Sequence, residues 1–267
     1  MTVIFLHIPK TGGASLANML AGHFAPGGVY NPQVREIGDR PPGDVNGYDF
    51  IFGHLDWSEL AAIASPVQII SMLREPVSRA LSVYWYWRAH SWAYGVEQLG
   101  SRGVECAKTL SPEDFFHIAP PDVLGNIENT AARQLVGAEY WTLNTGFTIP
   151  DAEVIRICRR HIDEMAFCGV TEHFEATAAA VMRTLGLPPT PSRRDNVFAN
   201  LTKDPNFEAV VPTPPSPALM ARIRAMTAID AALHRYAARR WPTRWAVLSQ
   251  ALSGLSGAAG RLGNPRP

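Results

Sequence analysis

The amino-acid sequence predicts an α/β domain, a parallel sheet with helices on both faces. Three observations carry this. Four short apolar runs, "VIFLHI" (3–8), "DFIFGH" (49–54), "VQIISMLR" (67–74) and "AFCGVTE" (166–172), lack the polar alternation of half-exposed strands. Strands of a parallel sheet, covered on both faces, read this way. Helical patterns separate or follow the runs. The first run passes straight into "HIPKTGGAS", a glycine-bearing loop between a strand and a helix.

The elements follow in order. A first helix is expected over about 13–24. A second, 76–92, opens on Pro76, whose fixed φ suits a first helical turn. Others cover 122–136, 151–163 and 173–186, the last closed by Gly186 and Pro188. In 216–240, Leu219, Ile223, Met226, Ile229 and Leu233 recur at helical spacing. Two stretches break the rhythm: 93–121 reads as a polar insertion and 187–217 as a proline-rich loop. Residues 1–244 are expected to form one domain, and 245–267, rich in glycine, serine and proline, a flexible tail.

Composition narrows the function. An apolar fraction of 46% and a charged fraction of 18% are those of an ordinary globular chain. With a formal charge of zero, a broad polyanion-binding surface and nucleic-acid binding are not indicated. Any anion must be held by a local constellation. Three lysines (Lys10, Lys108, Lys203) stand against twenty-one arginines, so a lysine in the opening loop draws notice. A compact ammonium and a planar guanidinium are not interchangeable at an anion site. Cys106, Cys158 and Cys168 form no CxxC pair, which supports neither a zinc site nor a disulfide framework. No run reaches the roughly 18 apolar residues of a membrane span, and the opening residues lack a signal peptide's basic region. A cytoplasmic location is expected.

In open α/β sheets ligands sit beyond the carboxyl ends of the strands. The first run delivers His7, Lys10 and the glycines there, the second His54, the third Arg74, and the last Glu172. Gly12 and Gly13 allow backbone N–H groups to turn inward as an anion nest, to which a helix start adds its positive end. A plain glycine turn is the alternative for "KTGG" taken alone. In "LREPVSRALSVYWYW", Arg74 closes a strand, and Arg79 and Ser82 lie three apart, as neighbours on a helix do. A guanidinium and a hydroxyl beside a helix start would suit a second phosphate. His54 follows a glycine at a strand end and is a candidate general base. His7, earlier on its strand, is expected to be structural. Trp85, Trp87, Trp92, Tyr94 and Trp141 are candidates for stacking on sugar faces or for core packing.

"FLHIPKTGGASL" followed by "LREPVSRALSVYW" resembles the sulfotransferases that use 3′-phosphoadenosine 5′-phosphosulfate (PAPS), in particular the carbohydrate branch with the heparan and uronyl 2-O-sulfotransferases. "GHLDW", "NIENTAARQLVG", "FCGVTEHFEATAAAVMRTLGL" and "IDAALHRYA" resemble further segments of that branch, so the likeness covers about residues 3–240. It implies a P-loop-type, sulfotransferase-like single domain. It also implies that Lys10, Thr11, Gly12, Gly13, Ala14 and Ser15 surround the 5′-phosphosulfate, with Thr11 and Ser15 adding hydroxyl donors. Arg74 and Ser82 would hold the 3′-phosphate, His54 would be the acceptor's base, and Lys10 would stabilise the leaving phosphate. The sequence departs from the pattern at Ala14, where threonine or serine is frequent, and at Glu75, where aspartate is common.

The expected reaction is transfer of the sulfuryl group of PAPS to an acceptor hydroxyl, of a carbohydrate or glycoconjugate, without a metal. The enzymatic alternative is a metal-dependent small-molecule or nucleotide kinase, for which Glu172 is the strand-end carboxylate. The non-enzymatic one is a glycan- or nucleotide-binding relative. The 187–217 loop is expected to cover the nucleotide, with Arg193 or Arg194 reaching it.

Overall fold

The computed structural model describes residues 1–31, 45–63, 66–143, 145–191 and 203–241. Five parallel strands form the central sheet in the order β2-β3-β1-β4-β7. They are β1 (Thr2–Leu6), β2 (Val29–Tyr30), β3 (Phe50–Gly53), β4 (Val67–Leu73) and β7 (Phe167–Val170); β5 (Trp141–Thr142) and β6 (Gly146–Phe147) make a separate antiparallel ribbon. The sheet is buried on both faces, and helices lie on both. Val3 and Phe5 enter the large hydrophobic cluster, while Ile4 and Ile51, of opposite parity, pack with Leu55 and Ile63 in a smaller one. The α/β fold class with a parallel sheet is therefore that expected from the four apolar runs. Strands β2, β5 and β6, two residues each, were not anticipated.

Register positions the site. Leu6 at the end of β1 pairs with Gly53 on one side and Ser71 on the other. The His7 N–H donates to the Gly53 carbonyl at 2.9 Å. The loops leaving β1, β3 and β4 therefore emerge side by side on one rim.

The helices are α1 (Gly13–Ala21), α2 (Pro76–Ala89), α3 (Arg102–Thr109), α4 (Pro112–Ile118), α5 (Pro121–Leu124), α6 (Thr130–Val136), α7 (Asp151–Glu164), α8 (Phe174–Thr184) and α9 (Pro217–Met226), with a last helical stretch over 228–241. The helix expected over 122–136 is broken. Asn129 takes a left-handed φ of 44°, and its Oδ1 accepts from the N–H groups of Ile229 and Asp230. The Asp230 carboxylate accepts in return from Ala131 and Ala132. Two helix starts cap each other, which satisfies N–H groups that a single continuous helix would not leave open. The helix expected over 216–240 divides at Thr227, whose hydroxyl donates to the Ile223 carbonyl.

The 93–121 stretch is not a polar loop. It holds a π-helical turn (Ala93–Gln98), α3 and α4. Their apolar faces, with Ala107, Phe115 and Phe116, pack against Val77 and Tyr84 of α2 and Leu219 and Ile223 of α9 in a second hydrophobic cluster. Charged residues on the outer faces of α3 and α4 hid this amphipathic pattern. The tail expected over 245–267 lies outside the described residues, as do Arg193 and Arg194.

Candidate active site

The rim opens into a cleft of about 840 Å³, in the range of a nucleotide-sized pocket. Of the residues singled out in the sequence, Lys10, Gly12, Gly13, Ala14, Ser15, His54, Arg74 and Ser82 all line it. Thr11 does not. It is fully buried, and its hydroxyl donates to the Ile8 carbonyl at 2.8 Å, so the expected hydroxyl donor is spent on closing the turn.

The loop is built around a left-handed turn. Gly12 has φ 82° and serves as the N-cap of α1. Gly13 is required for a different reason. A Cβ there would lie 2.0 Å from Cδ2 of His7. The His7 ring fills that space, stacked on Phe5 at 5.4 Å and against the His54 ring at 4.6 Å. No side chain caps α1 and no acidic residue occupies its first turn, whereas α2, α3, α4 and α9 are each capped by a carboxylate or serine hydroxyl. The positive end of α1 thus faces the cleft, flanked by Lys10 and Arg74.

Two cations share this wall. Burial first, and then the neighbouring Arg74 charge, lowers the Lys10 ammonium to about 8. Arg74 donates to the Lys10 carbonyl at 3.1 Å, tying the end of β4 to the loop. Burial lowers its guanidinium too, opposed by Glu172 and Glu75. The hydroxyl of Thr171, just after β7, donates to the carbonyls of Thr11 and, at 3.0 Å, Leu73. Three strand ends are thereby laced together.

The His54 Nδ1 lies 2.8 Å from the His7 carbonyl. A carbonyl only accepts, so Nδ1 carries the proton and Nε2 is the nitrogen with the open lone pair. Burial lowers the His54 pKa, partly offset by that hydrogen bond, which leaves the ring neutral at pH 7. His7 is half-buried, and desolvation first, then the neighbouring His54 and Lys10, pushes it down to about 3.

Glu172 also borders the cleft, but its carboxylate is committed. Oε1 accepts from the Glu75 N–H at 2.7 Å and Oε2 lies 3.0 Å from Nε2 of His234. Burial alone would raise this carboxyl. The hydrogen bonds from His234 and from backbone N–H groups outweigh it and hold it at about 2. So low a pKa makes a weak base, and both oxygens already brace α2 and the last helix.

Arg79 departs from the sequence reading. It is 1% exposed and donates to the Ile127 carbonyl and, at 2.9 Å, to the Thr130 hydroxyl, so it pins α2 to the α5–α6 turn instead of facing a phosphate. The cleft face of α2 carries Ser78, Ser82 and Tyr86. That i, i+4, i+8 spacing was visible in the sequence once Ser82 had been chosen. Asn126 and Thr130, also four apart, line the cleft too and were not anticipated. Of the five candidate aromatics, Trp87 borders the cleft. Trp85 is in the second core, Tyr94 stacks on His90, Trp92 is 42% exposed, and Trp141 lies beside the Arg133 guanidinium.

No protein-family model and no curated protein matches the sequence. Several solved structures resemble the chain in fold, two of them sulfotransferases. One is the crystal structure of mouse sulfotransferase SULT7A1 complexed with PAP, at 14% identity and a TM-score of 0.42 over 76% of this chain. The match spans 66% of the mouse chain, just under two thirds of its length. The other is the sulfotransferase from Alicyclobacillus acidocaldarius, at 16% identity and a TM-score of 0.43, over 87% of this chain and 93% of that one. What the cleft can do is decided by its own residues. Among the described residues no helix is long and apolar enough to cross a membrane.

Proposed function

We propose that the protein transfers the sulfuryl group of PAPS to an acceptor hydroxyl, of a carbohydrate or glycoconjugate. One observation carries the reading: a neutral histidine with Nε2 open, a half-buried lysine and an uncapped helix start meet in one cleft. The acceptor oxygen attacks sulfur while its proton passes to Nε2 of His54. The bond between sulfur and the bridging oxygen of the 5′-phosphate breaks, and the charge that grows on that oxygen falls to Lys10 and the N–H groups at the start of α1. Lysine suits this position because a compact ammonium can follow the charge as it moves to the leaving oxygen.

Arg74 and Ser82, with Ser78 beside them, suit the 3′-phosphate that distinguishes PAPS from ordinary adenine nucleotides. Trp87, which borders the cleft, is the aromatic best placed to stack on a sugar ring. Calorimetry tests the nucleotide half of the reading. Adenosine 3′,5′-bisphosphate should bind without magnesium and more tightly than AMP, each charge-assisted bond to the 3′-phosphate contributing about 1.5–3 kcal/mol. Equal affinity for AMP would count against it.

A further inference from the structure

Lys10 is the most constrained residue of the cleft. Its backbone has φ 66°, in a region that non-glycine residues seldom occupy, so the turn fixes where the side chain departs. Nζ lies 3.6 Å from the centre of the Tyr86 ring, well within the ~6 Å reach of a cation–π contact. Among the described residues no carboxylate pairs with it. The ring is held in its turn. His90 meets it edge-on at 4.7 Å and Phe207 packs against it at 5.6 Å. His90 is fixed by its Nδ1 contact to the Tyr86 carbonyl at 2.9 Å and by a β-bridge to Phe207.

We propose that Tyr86 is the positioning residue for Lys10: its ring face holds the ammonium beside the anion cradle, where its charge meets the leaving phosphate during transfer. This rests on the sulfuryl-transfer reading. A ring suits the task better than a carboxylate would. It attracts the ammonium without neutralising it, and more weakly than an ion pair, so the charge remains available to a phosphate. The charged and titratable groups around Nζ are Arg74 from the end of β4, His7 from the loop after β1 and His90 from the end of α2. Burial keeps both histidines neutral near pH 7, so Arg74 is the standing charge that works against the ammonium. The Tyr86 quadrupole works for it.

The chain's three lysines make this measurable by NMR on protein labelled at the lysine ε-carbon. In the wild type the Lys10 ε signals should lie upfield of those of Lys108 and Lys203, because the ring current acts on Lys10. Tyr86→Leu should abolish that shift, lower the Lys10 titration midpoint and reduce kcat about 3- to 30-fold, the span of cation–π contacts from exposed to desolvated. Affinity for adenosine 3′,5′-bisphosphate should change less than about 3-fold, since backbone N–H groups still hold the phosphate. Tyr86→Phe should keep the upfield shift and recover most of the lost turnover. Wild-type Lys10 signals without the shift would overturn the proposal, and so would Tyr86→Leu with an unchanged Lys10 titration and kcat. A wild type with the shifted signals but no bisphosphate binding would instead sink the sulfuryl-transfer reading, and with it the part the ammonium plays there.

Discussion

Gly13→Ala probes the loop at its tightest point. The new Cβ would meet Cδ2 and Nε2 of His7 at 2.0 and 2.2 Å, where ordinary contact begins at 3.4 Å. The His7 ring would therefore have to retreat by more than an ångström. That retreat would disturb its stacking on Phe5 and its contact with the His54 ring. Overpacking of this kind costs about 1–3 kcal/mol. Gly12→Ala would meet nothing closer than 3.5 Å; its cost is the left-handed backbone alone, about 1–2 kcal/mol. A double-mutant cycle separates the two causes. Urea unfolding is measured for Gly13→Ala in the wild type and in a His7→Ala background. With the ring gone, Gly13→Ala should be neutral or stabilising by about 0.4–1 kcal/mol, because alanine restricts the unfolded chain more than glycine does. An equal cost in both backgrounds would refute the claim that the His7 ring makes Gly13 obligatory.

Three further outcomes are expected. His54→Ala should fold, keep its affinity for the bisphosphate and lose roughly 100- to 10,000-fold in turnover. In the wild type, turnover should fall as pH drops and His54 gains a proton, with one proton involved and a midpoint below the ordinary 6.5 because burial lowers this pKa; loss in Glu172→Gln with retention in His54→Ala would move the base to Glu172. Lys10→Ala should lower kcat roughly 100- to 1000-fold while the bisphosphate still binds, and near-wild-type turnover would remove Lys10 from catalysis. His7, near 6.5 when unfolded and about 3 when folded, binds more protons in the unfolded chain between those values, so its contribution to stability is full above 6.5 and is lost as pH falls towards 3. His7→Asn should reduce the slope of unfolding free energy in that window by up to about 1.4 kcal/mol per pH unit, and an unchanged slope would contradict its desolvated, neutral state.

Much of the frame was legible because burial on both faces leaves a signature in the chain. The runs that became β1, β3, β4 and β7 are continuous and apolar, and the residues at their ends meet on one rim because parallel register carries them there. The two-residue strands leave no periodicity to read; pairing with neighbours defines them. The break at Asn129 depends on N–H groups about a hundred residues away, which no local pattern encodes. The same holds for Arg79. A helix-face arginine near a strand end reads as a ligand group, and only its bonds to Ile127 and Thr130 show that it is a structural pin. At the site, Ser78 and Tyr86 follow from Ser82 by helical spacing, whereas Thr171 enters through contacts with Thr11 and Leu73 that only the folded sheet creates.

The central claim is that this cleft moves a sulfuryl group, and the direct test is to incubate the protein with PAPS radiolabelled in its sulfate and a panel of hydroxyl acceptors, without added metal. The account predicts that label appears in at least one carbohydrate or glycoconjugate acceptor with wild-type protein, and that the same product falls roughly 100-fold or more with His54→Ala. Protein that binds adenosine 3′,5′-bisphosphate tightly yet transfers no label to any acceptor would contradict it, leaving a nucleotide-binding protein in place of an enzyme.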